Sequence, residues 1–358
     1  MKKLLEKTFK VAYDLTEKYK ALKIFYTPLE ALDSFFLRKP IPTVGAPHIR
    51  DAIDLKRYMI MVVVAIFPAM LAGVYFYGLR TLVVIALSYI FGLTTEWLFA
   101  YFRKEEINEG AFVTCMIYPL ILPPTIPLWM VPVGIIFATV FAKEAFGGTG
   151  RNIFNVAMVG RLFLAVAFPS TLTTMWNEPF TGGLAGFAHW KVDAITSATP
   201  LIAFKGNGTV TAFSSLFYGN VAGCIGETSK LLIILGGVFL MLTKVANWRL
   251  VVGMLGSVAV FSGIGHLALP STFAPPAFQL LTGGLLFGAM FMITDPVTAP
   301  FTVTGKWLYS IAVGLIVVII RNLSGYVEGV MFAIIFMNIF APLIDHLVLQ
   351  ARYKEVPA

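Results

Sequence analysis

The sequence predicts an all-α integral membrane protein of about ten transmembrane helices, arranged as two inverted five-helix repeats with broken helices. Three observations carry that prediction. Hydrophobic residues make up 58% of the 358 and charged residues only 13%, with a mean hydropathy of +0.82, whereas soluble domains carry about 25% charged residues. Several apolar runs approach the ~20 residues that cross a bilayer as helix. Proline-rich interruptions then recur at corresponding places in two sets of apolar runs.

Residues 1–57 form a basic extension with 12 Lys and Arg against 7 Asp and Glu. Leu4, Leu5, Phe9, Ala12, Tyr13 and Leu15 recur near helical spacing. That pattern fits an amphipathic surface helix, or equally a solvated cytoplasmic extension that docks on a partner. No cleavable signal is expected, because charges run through the first residues and no apolar core region interrupts them. Pro40, Pro42 and Pro47 read as an extended connector.

The first repeat, 58–168, is expected to place spans at 58–78, 82–102, 111–122, 128–145 and 153–168. A linker rich in Gly, Ser and Thr follows at 169–229. Its apolar patch at 211–225 is short and broken by Gly, which reads as re-entrant or interfacial. The second repeat, 230–349, gives spans at 230–244, 248–268, 277–293, 307–320 and 329–349, and a tail at 350–358 ends the chain. Five spans plus five put both termini on one side. That side holds 22 of the 27 Lys and Arg; the other holds 5, namely Arg80, Lys191, Lys205, Lys230 and Arg321. By the positive-inside rule the termini are cytoplasmic and the linker faces outward. The net charge of +8 needs no nucleic acid to explain it.

Leu122-Pro-Pro-Thr-Ile-Pro127 interrupts the third span of the first set, and Asp295-Pro-Val-Thr-Ala-Pro300 follows the third span of the second. Proline frees backbone groups that lipid cannot satisfy, so both breaks are expected to face protein or water. Matching breaks in inverted repeats build a site near the midplane; two coincidental kinks are the plainer alternative.

Asp193-Ala-Ile-Thr-Ser-Ala-Thr199, followed by Pro200, displays three hydroxyls and a carboxylate inside a chain otherwise built for lipid. Alone, it is either a modification site or a Ser/Thr turn into a proline-started segment. Phe146-Gly-Gly-Thr-Gly-Arg-Asn-Ile-Phe-Asn155 is a glycine-rich turn opening a helix. It has no Walker Lys-Ser/Thr ending and lacks the GxGxxG spacing. The amides of Asn152 and Asn155, three apart, are expected to share a helix face and both donate and accept. Gly147 and Gly148 would open that helix N-terminus to a polar ligand edge; a plain helix cap with close packing accounts for the turn equally well. Intramembrane carboxylates default to functional roles, which singles out Glu96, Glu144, Asp295 and Asp345. Glu96 with Thr94 or Thr95, and Asp295 with carbonyls freed by Pro296, are candidate ion ligands or proton carriers. The plain alternatives are a cap or a bridge to Lys143 or Arg151 for Glu144, and an interfacial place beside His346 for Asp345.

Cys115 and Cys224 have no spacing for zinc or an iron–sulfur cluster, four His residues give no case for haem, and no catalytic or metal-ligating set emerges. Whether the two cysteines pair is left open. Trp176 and Trp190 are expected in the interfacial aromatic belt, and the Met-rich spans in the core.

Seven stretches together resemble the NqrB/RnfD family, membrane subunits of the sodium-pumping NADH:quinone oxidoreductase (Nqr) and of the paralogous Rnf electron transport complex. They are Asp54-Leu-Lys-Arg-Tyr-Met, Glu106-Ile-Asn-Glu-Gly110, Pro123-Pro-Thr-Ile-Pro-Leu-Trp129, Phe146 to Asn152, Asp193 to Pro200, Thr294-Asp-Pro296 and Ala341-Pro-Leu-Ile-Asp345. The long N-terminal extension leans to Nqr, while Ala72 to Arg80 and Thr199-Pro-Leu lean to Rnf. The resemblance implies a multi-pass component of a bacterial inner-membrane, ion-translocating oxidoreductase. It implies covalent flavin mononucleotide (FMN) on Thr199, with Asp193, Thr196 and Ser197 completing the motif. Ser197 stands where the family has Gly, which keeps the position small but adds a hydroxyl. A second, non-covalent flavin, riboflavin, is implied near Gly147, Gly148, Asn152 and Asn155, with electrons passing between the two. The implied partners are the other subunits, Na+ or H+, quinone in the Nqr case, a flavin transferase outside the cytoplasm, and the lipid bilayer. The rival class is a small-solute or ion channel or transporter with no redox cofactor.

Overall fold

In a computed structural model, residues 2–18, 29, 33, 55–104, 110–180, 182–187, 190 and 198–353 are described. All regular elements among them are helical. Asp193, Thr196 and Ser197 lie outside the described residues. The expected N-terminal helix is α1, Lys2–Lys18. The first half continues with α2 (Leu55–Tyr77), α3 (Arg80–Arg103), α4 (Gly110–Leu120), α5 (Met130–Phe137) and α6 (Val156–Ala167). The linker contributes α7 (Pro169–Thr174), α8 (Pro200–Asn207) and α9 (Phe213–Tyr218). The second half holds α10 (Lys230–Leu242), α11 (Trp248–Ala268), α12 (Pro276–Leu281), α13 (Leu285–Phe287), α14 (Val303–Leu323) and α15 (Val330–Tyr353).

Five helices, α2, α3, α11, α14 and α15, are long and apolar enough to cross a membrane, and α4, α6 and α10 are shorter apolar helices. The chain is an all-α, multi-pass membrane protein. The remaining two expected spans are interrupted elements. α5 passes into a π-helix at Ala138–Lys143 and a 3-10 turn at Glu144–Phe146. The span expected at 277–293 is not continuous. It breaks at Thr282-Gly-Gly, where Gly283 takes a φ of +61°, and α13 then continues as a π-helix over Gly288–Met292. Hydropathy averages over such a break because Thr and Gly cost little in an apolar window, yet two glycines free the backbone to leave the helix.

Helix pairings recur between the halves. In each, the second helix packs on the third and the fourth (α3 on α4 and α5; α11 on α12 and α14), and the fourth packs on the fifth. Across the halves, α2 packs on α10 and α6 on α15. Gly236 permits the α2–α10 approach, since a Cβ there would collide with the backbone oxygen of Ala65. Of the patch at 211–225, the end enters the protein, while Phe213 and Tyr218 are exposed. Ile225 is fully buried beside Gly73 of α2, and its N–H donates to the Leu122 carbonyl at 3.1 Å.

That bond shows how the breaks are made tolerable. At 122–127, Arg80 donates to the carbonyls of Ile126 (2.7 Å) and Thr125 (3.4 Å). At 282–284, Arg321 donates to Gln279 and Thr282 carbonyls at 2.8 and 3.0 Å, and Lys230 donates to the Gly283 carbonyl at 3.0 Å. After Asp295, the Asp345 carboxylate accepts the N–H groups of Phe301 (2.8 Å) and Thr302 (3.0 Å), just where α14 starts. Non-helical backbone at membrane depth is tolerated only when such partners exist.

Replacing Arg80 with Met is therefore expected to strip two carbonyls of their donor and lower stability by about 2 kcal/mol. A thermal melt of detergent-solubilised protein checks it: an unchanged midpoint would mean the break does not depend on Arg80.

Candidate functional site

Two clefts take in four of the described candidate residues, Thr199 in one and Asn152, Asn155 and Asp295 in the other. The first lies where the linker meets the second half. Thr199 is the N-cap of α8, with extended backbone (φ −65°, ψ 156°), and Pro200 occupies the first helical position. Its hydroxyl oxygen accepts the Ile202 N–H at 3.3 Å. This is the expected local outcome, because an N-cap Thr satisfies an orphan donor and Pro at N1 loses none. Thr199 is half-buried and borders a cavity with Trp176, Tyr326 and Phe332 among its walls. Lys205, on the same helix, donates to the carbonyls of Ser324 (2.9 Å) and Tyr326 (2.6 Å), tying α8 to the α14–α15 loop.

The cavity floor carries Arg161, Glu227, Lys230 and Glu328. Glu328 bridges Arg321 at 2.9 Å and accepts the Gly284 N–H at 2.9 Å, and Glu227 accepts the Cys224 N–H at 2.6 Å. Burial alone would raise the Glu328 carboxyl, but the guanidiniums of Arg321 and Arg161 outweigh it and hold it below the usual carboxylate range. Burial, then repulsion from Arg321, lowers the Lys205 ammonium from its ordinary value. The charged residues of the lining are thus two bases, Arg161 and Lys230, set against two acids, Glu227 and Glu328.

The second cleft is lined from both halves. It is lined by Asn152, Asn155, Lys143, Thr149 and Asp295 among apolar neighbours such as Val62, Ile117 and Phe291. Contrary to the shared-helix-face expectation, neither amide lies inside a helix. Asn155 caps α6, its Oδ1 accepting the Met158 N–H at 3.3 Å, and Asn152 precedes the cap in the turn. The cap shortens the helix expected from 153 and yet turns both residues to one cleft. Gly147, Gly148 and Gly150 hold φ values of +101°, +93° and +88°, the left-handed region that side chains disfavour, and so build the turn. Asn155 Nδ2 donates to the Met292 carbonyl at 3.4 Å, across to the other half. The buried Thr149 hydroxyl has no hydrogen-bond partner among the described residues. Asp295 also borders an open cleft rimmed by Lys244, Arg249 and Lys306, which makes it the junction between the buried cleft and the surface.

The four acids have distinct surroundings. Glu96 is buried and paired with Lys143 at 2.6 Å. Thr94 and Thr95 instead hydrogen-bond carbonyls four residues back, to Ile90 and Phe91. Glu144 bridges Arg103 at 2.8 Å. Asp295 closes its own turn on the Val297 N–H (3.1 Å) and the Thr298 hydroxyl (3.2 Å). Asp345 is a buried cap on the start of α14, not an interfacial residue. Cys115 and Cys224 are free and buried. Trp176 is a further correction: only 8% exposed, it faces the first cavity instead of lipid, and its indole N–H donates to Thr173.

Sequence reasoning missed Arg161, Lys230 and Arg321 as site residues because it used them only to count charge by side. The signal was present, since a base inside an apolar run is expensive and defaults to function.

These features define a class: a polytopic helical membrane protein with broken helices and two polar-floored clefts beside the breaks. Residues 43–354 match the NQR2, RnfD, RnfE family, and the chain belongs to that family. It is similar to the NqrB component of the Na(+)-translocating NADH-quinone reductase of Pseudomonas aeruginosa PAO1, with 38% identity over 92% of this chain and 93% of the relative. The components of the same name from Klebsiella pneumoniae strain 342 and Azotobacter vinelandii are 38% and 39% identical, covering 93% and 95% of this chain and 94% and 95% of each relative.

Glu328→Gln is expected to cost about 3–5 kcal/mol, because Arg321 stays buried without its partner. The folded carboxyl lies below its unfolded value near 4.3. Its contribution is therefore full above about pH 4.3 and lost as pH falls toward the folded value. Thermal melts across that range should show an acid-dependent step in the wild type and a lower, flatter profile in the variant.

Proposed function

We propose that this chain is the flavin-carrying membrane component of a redox-driven sodium-translocating NADH:quinone oxidoreductase. Its relatives, alike over nearly their whole length, bear the name of the NqrB component of such a complex, which favours the Nqr type over Rnf. The remaining subunits, sodium and quinone are then its partners. NADH oxidation belongs to another subunit, because this chain carries no dinucleotide fingerprint.

The observation that carries the flavin assignment is the place of Thr199: its hydroxyl stands at a helix N-terminus on the rim of a cavity whose lining includes the bases Arg161 and Lys230. FMN esterified through its phosphate to Thr199 Oγ fits there. The α8 dipole favours the phosphate charge, and Trp176, Tyr326 and Phe332 offer apolar walls to a ring. Half-exposure of Thr199 leaves the hydroxyl within reach of a flavin transferase. The second cleft fits riboflavin: Asn152 and Asn155 offer amides to the uracil-like ring edge, and the unpartnered Thr149 hydroxyl awaits an acceptor or donor. Flavins in both places would supply one-electron carriers on a path between the linker and the far side of the chain. The charge bias of the loops supports an outward linker and cytoplasmic termini in the inner membrane. Arg161, Lys230 and Arg321 serve the buried network and drop out of that count.

Thr199→Val is expected to abolish the fluorescent flavin band of the denatured protein, and Ser197→Ala to keep it. Mass spectrometry of the peptide between Lys191 and Lys205 reads the site directly. A colourless wild type from a host with the transferase would restore the channel or transporter reading. Asn155→Ala should lose extractable riboflavin while retaining the covalent band.

For ion movement, Glu96→Gln and Asp295→Asn are expected to raise the sodium concentration for half-maximal turnover without removing covalent flavin. Unchanged sodium dependence in both variants would sink the ion-pathway assignment.

A further inference from the structure

The Glu96 carboxylate is not poised for a free cation, because a cation already occupies it. Lys143 Nζ lies 2.6 Å from Glu96 Oε1, and both side chains are about 95% enclosed, with relative exposures of 4% and 6%. The two come from different helices, α3 and the π-helix that extends α5. Lys143 also borders the second cleft, beside Asn152, Asn155 and the unpartnered Thr149 hydroxyl.

The backbone at Lys143 is suited to movement. It ends the π-helix Ala138–Lys143 and leaves the helical region, with φ −122° and ψ −63°, before the 3-10 turn Glu144–Phe146. Short π segments lie frequently at functional sites, and 3-10 stretches within a helix often mark hinges. The next residue is fixed: Glu144 is clamped by Arg103 through its carboxylate at 2.8 Å and its carbonyl at 2.6 Å. A change at the hinge would therefore swing Lys143 and not the turn after it.

We propose that Lys143 is a tethered competitor for the Glu96 cation site: sodium reaches Glu96 only when the Lys143 ammonium leaves it for the second cleft. Electroneutrality is kept in both arrangements. With Lys143 on Glu96 the pair is neutral; with sodium on Glu96 the ammonium faces the cleft, where a ligand that gains negative charge would hold it. This couples the charge of the cleft ligand to ion uptake without a direct contact between ligand and sodium. A pair left intact throughout would be structural only, and would not respond to sodium.

The inference rests on the ion-pathway reading, and three variants of the whole complex separate the two. Removing the competitor in Lys143→Met is expected to lower the sodium concentration for half-maximal turnover by about tenfold, within the range typical of coupled sites. Lys143→Arg keeps a cation at Glu96 and is expected to restore near-wild-type sodium dependence. Glu96→Gln moves the requirement the other way. Sodium dependence unchanged in Lys143→Met, alongside a raised requirement in Glu96→Gln, overturns the competitor and leaves the ion pathway standing. Unchanged dependence in Glu96→Gln removes Glu96 from the ion pathway and overturns the competitor with it. Should Lys143→Met fail to assemble, judged by its covalent-flavin band, Lys143→Gln gives the same reading, and sodium-dependent modification of wild-type Lys143 by a small amine reagent gives an independent one. Labelling that rises with sodium but not with potassium supports displacement; labelling indifferent to sodium excludes it.

Discussion

The structure depends on one constraint: backbone N–H and C=O groups released from a helix inside an apolar medium must find partners. The breaks at 122–127 and 282–284 and the restart after 295–300 are each answered by a charged side chain. Arg80 serves 122–127, Arg321, Lys230 and Glu328 serve 282–284, and Asp345 serves the restart at Thr302. Arg103 does the same for the Glu144 carbonyl at the end of the π segment. In water these groups would be satisfied by solvent and the charges would be dispensable. In lipid the charge and the break stabilise one another, and neither survives alone.

Function follows from the same constraint. A break and its charged partners form a patch of polarity within the apolar body, and both clefts lie against such patches. The patches also bind the halves together. Asn155, which caps α6, donates to the Met292 carbonyl of the second half, while Ile225 from the linker donates to Leu122 of the first. A ligand in the second cleft touches both halves at once, so a change in either is felt by it.

Much of this is legible in the sequence, and the exceptions share a cause. The helix 248–268 can be read to the residue, because a 21-residue stretch dominated by apolar side chains averages to a clear signal, while the ends of the other long helices differ from the expected bounds by one to four residues. Pro breaks at 122–127 and 295–300 are visible because each gathers two or more prolines with other helix-poor residues, whereas single prolines such as Pro68 and Pro342 stay inside α2 and α15. The Thr282-Gly-Gly break is not, since its residues are permitted in a helix and only tertiary partners draw the chain out of it. Asn152 and Asn155 are recognisable as neighbours, but the helix face expected for them is one that their own capping role prevents. Trp176 carries an interfacial signature, yet the linker folds it inward. Pairings between distant residues, Lys143 with Glu96 or Arg103 with Glu144, leave no periodic trace for a single sequence to reveal.

The two buried charge systems differ in a way that bears on what each can do. Arg321 is held by two carbonyls and the Glu328 carboxylate, and it sits at the end of a regular 21-residue helix. Moving it would orphan the backbone at 282–284, so its charge is fixed and can only shape the potential around the first cavity. Lys143 is held, among the described residues, by one carboxylate and supports no backbone break. Moving it costs the attraction of one ion pair, which a sodium ion can replace at Glu96. A protein that must keep one charge still and let another travel has to leave the second out of its backbone repair, and this chain does so.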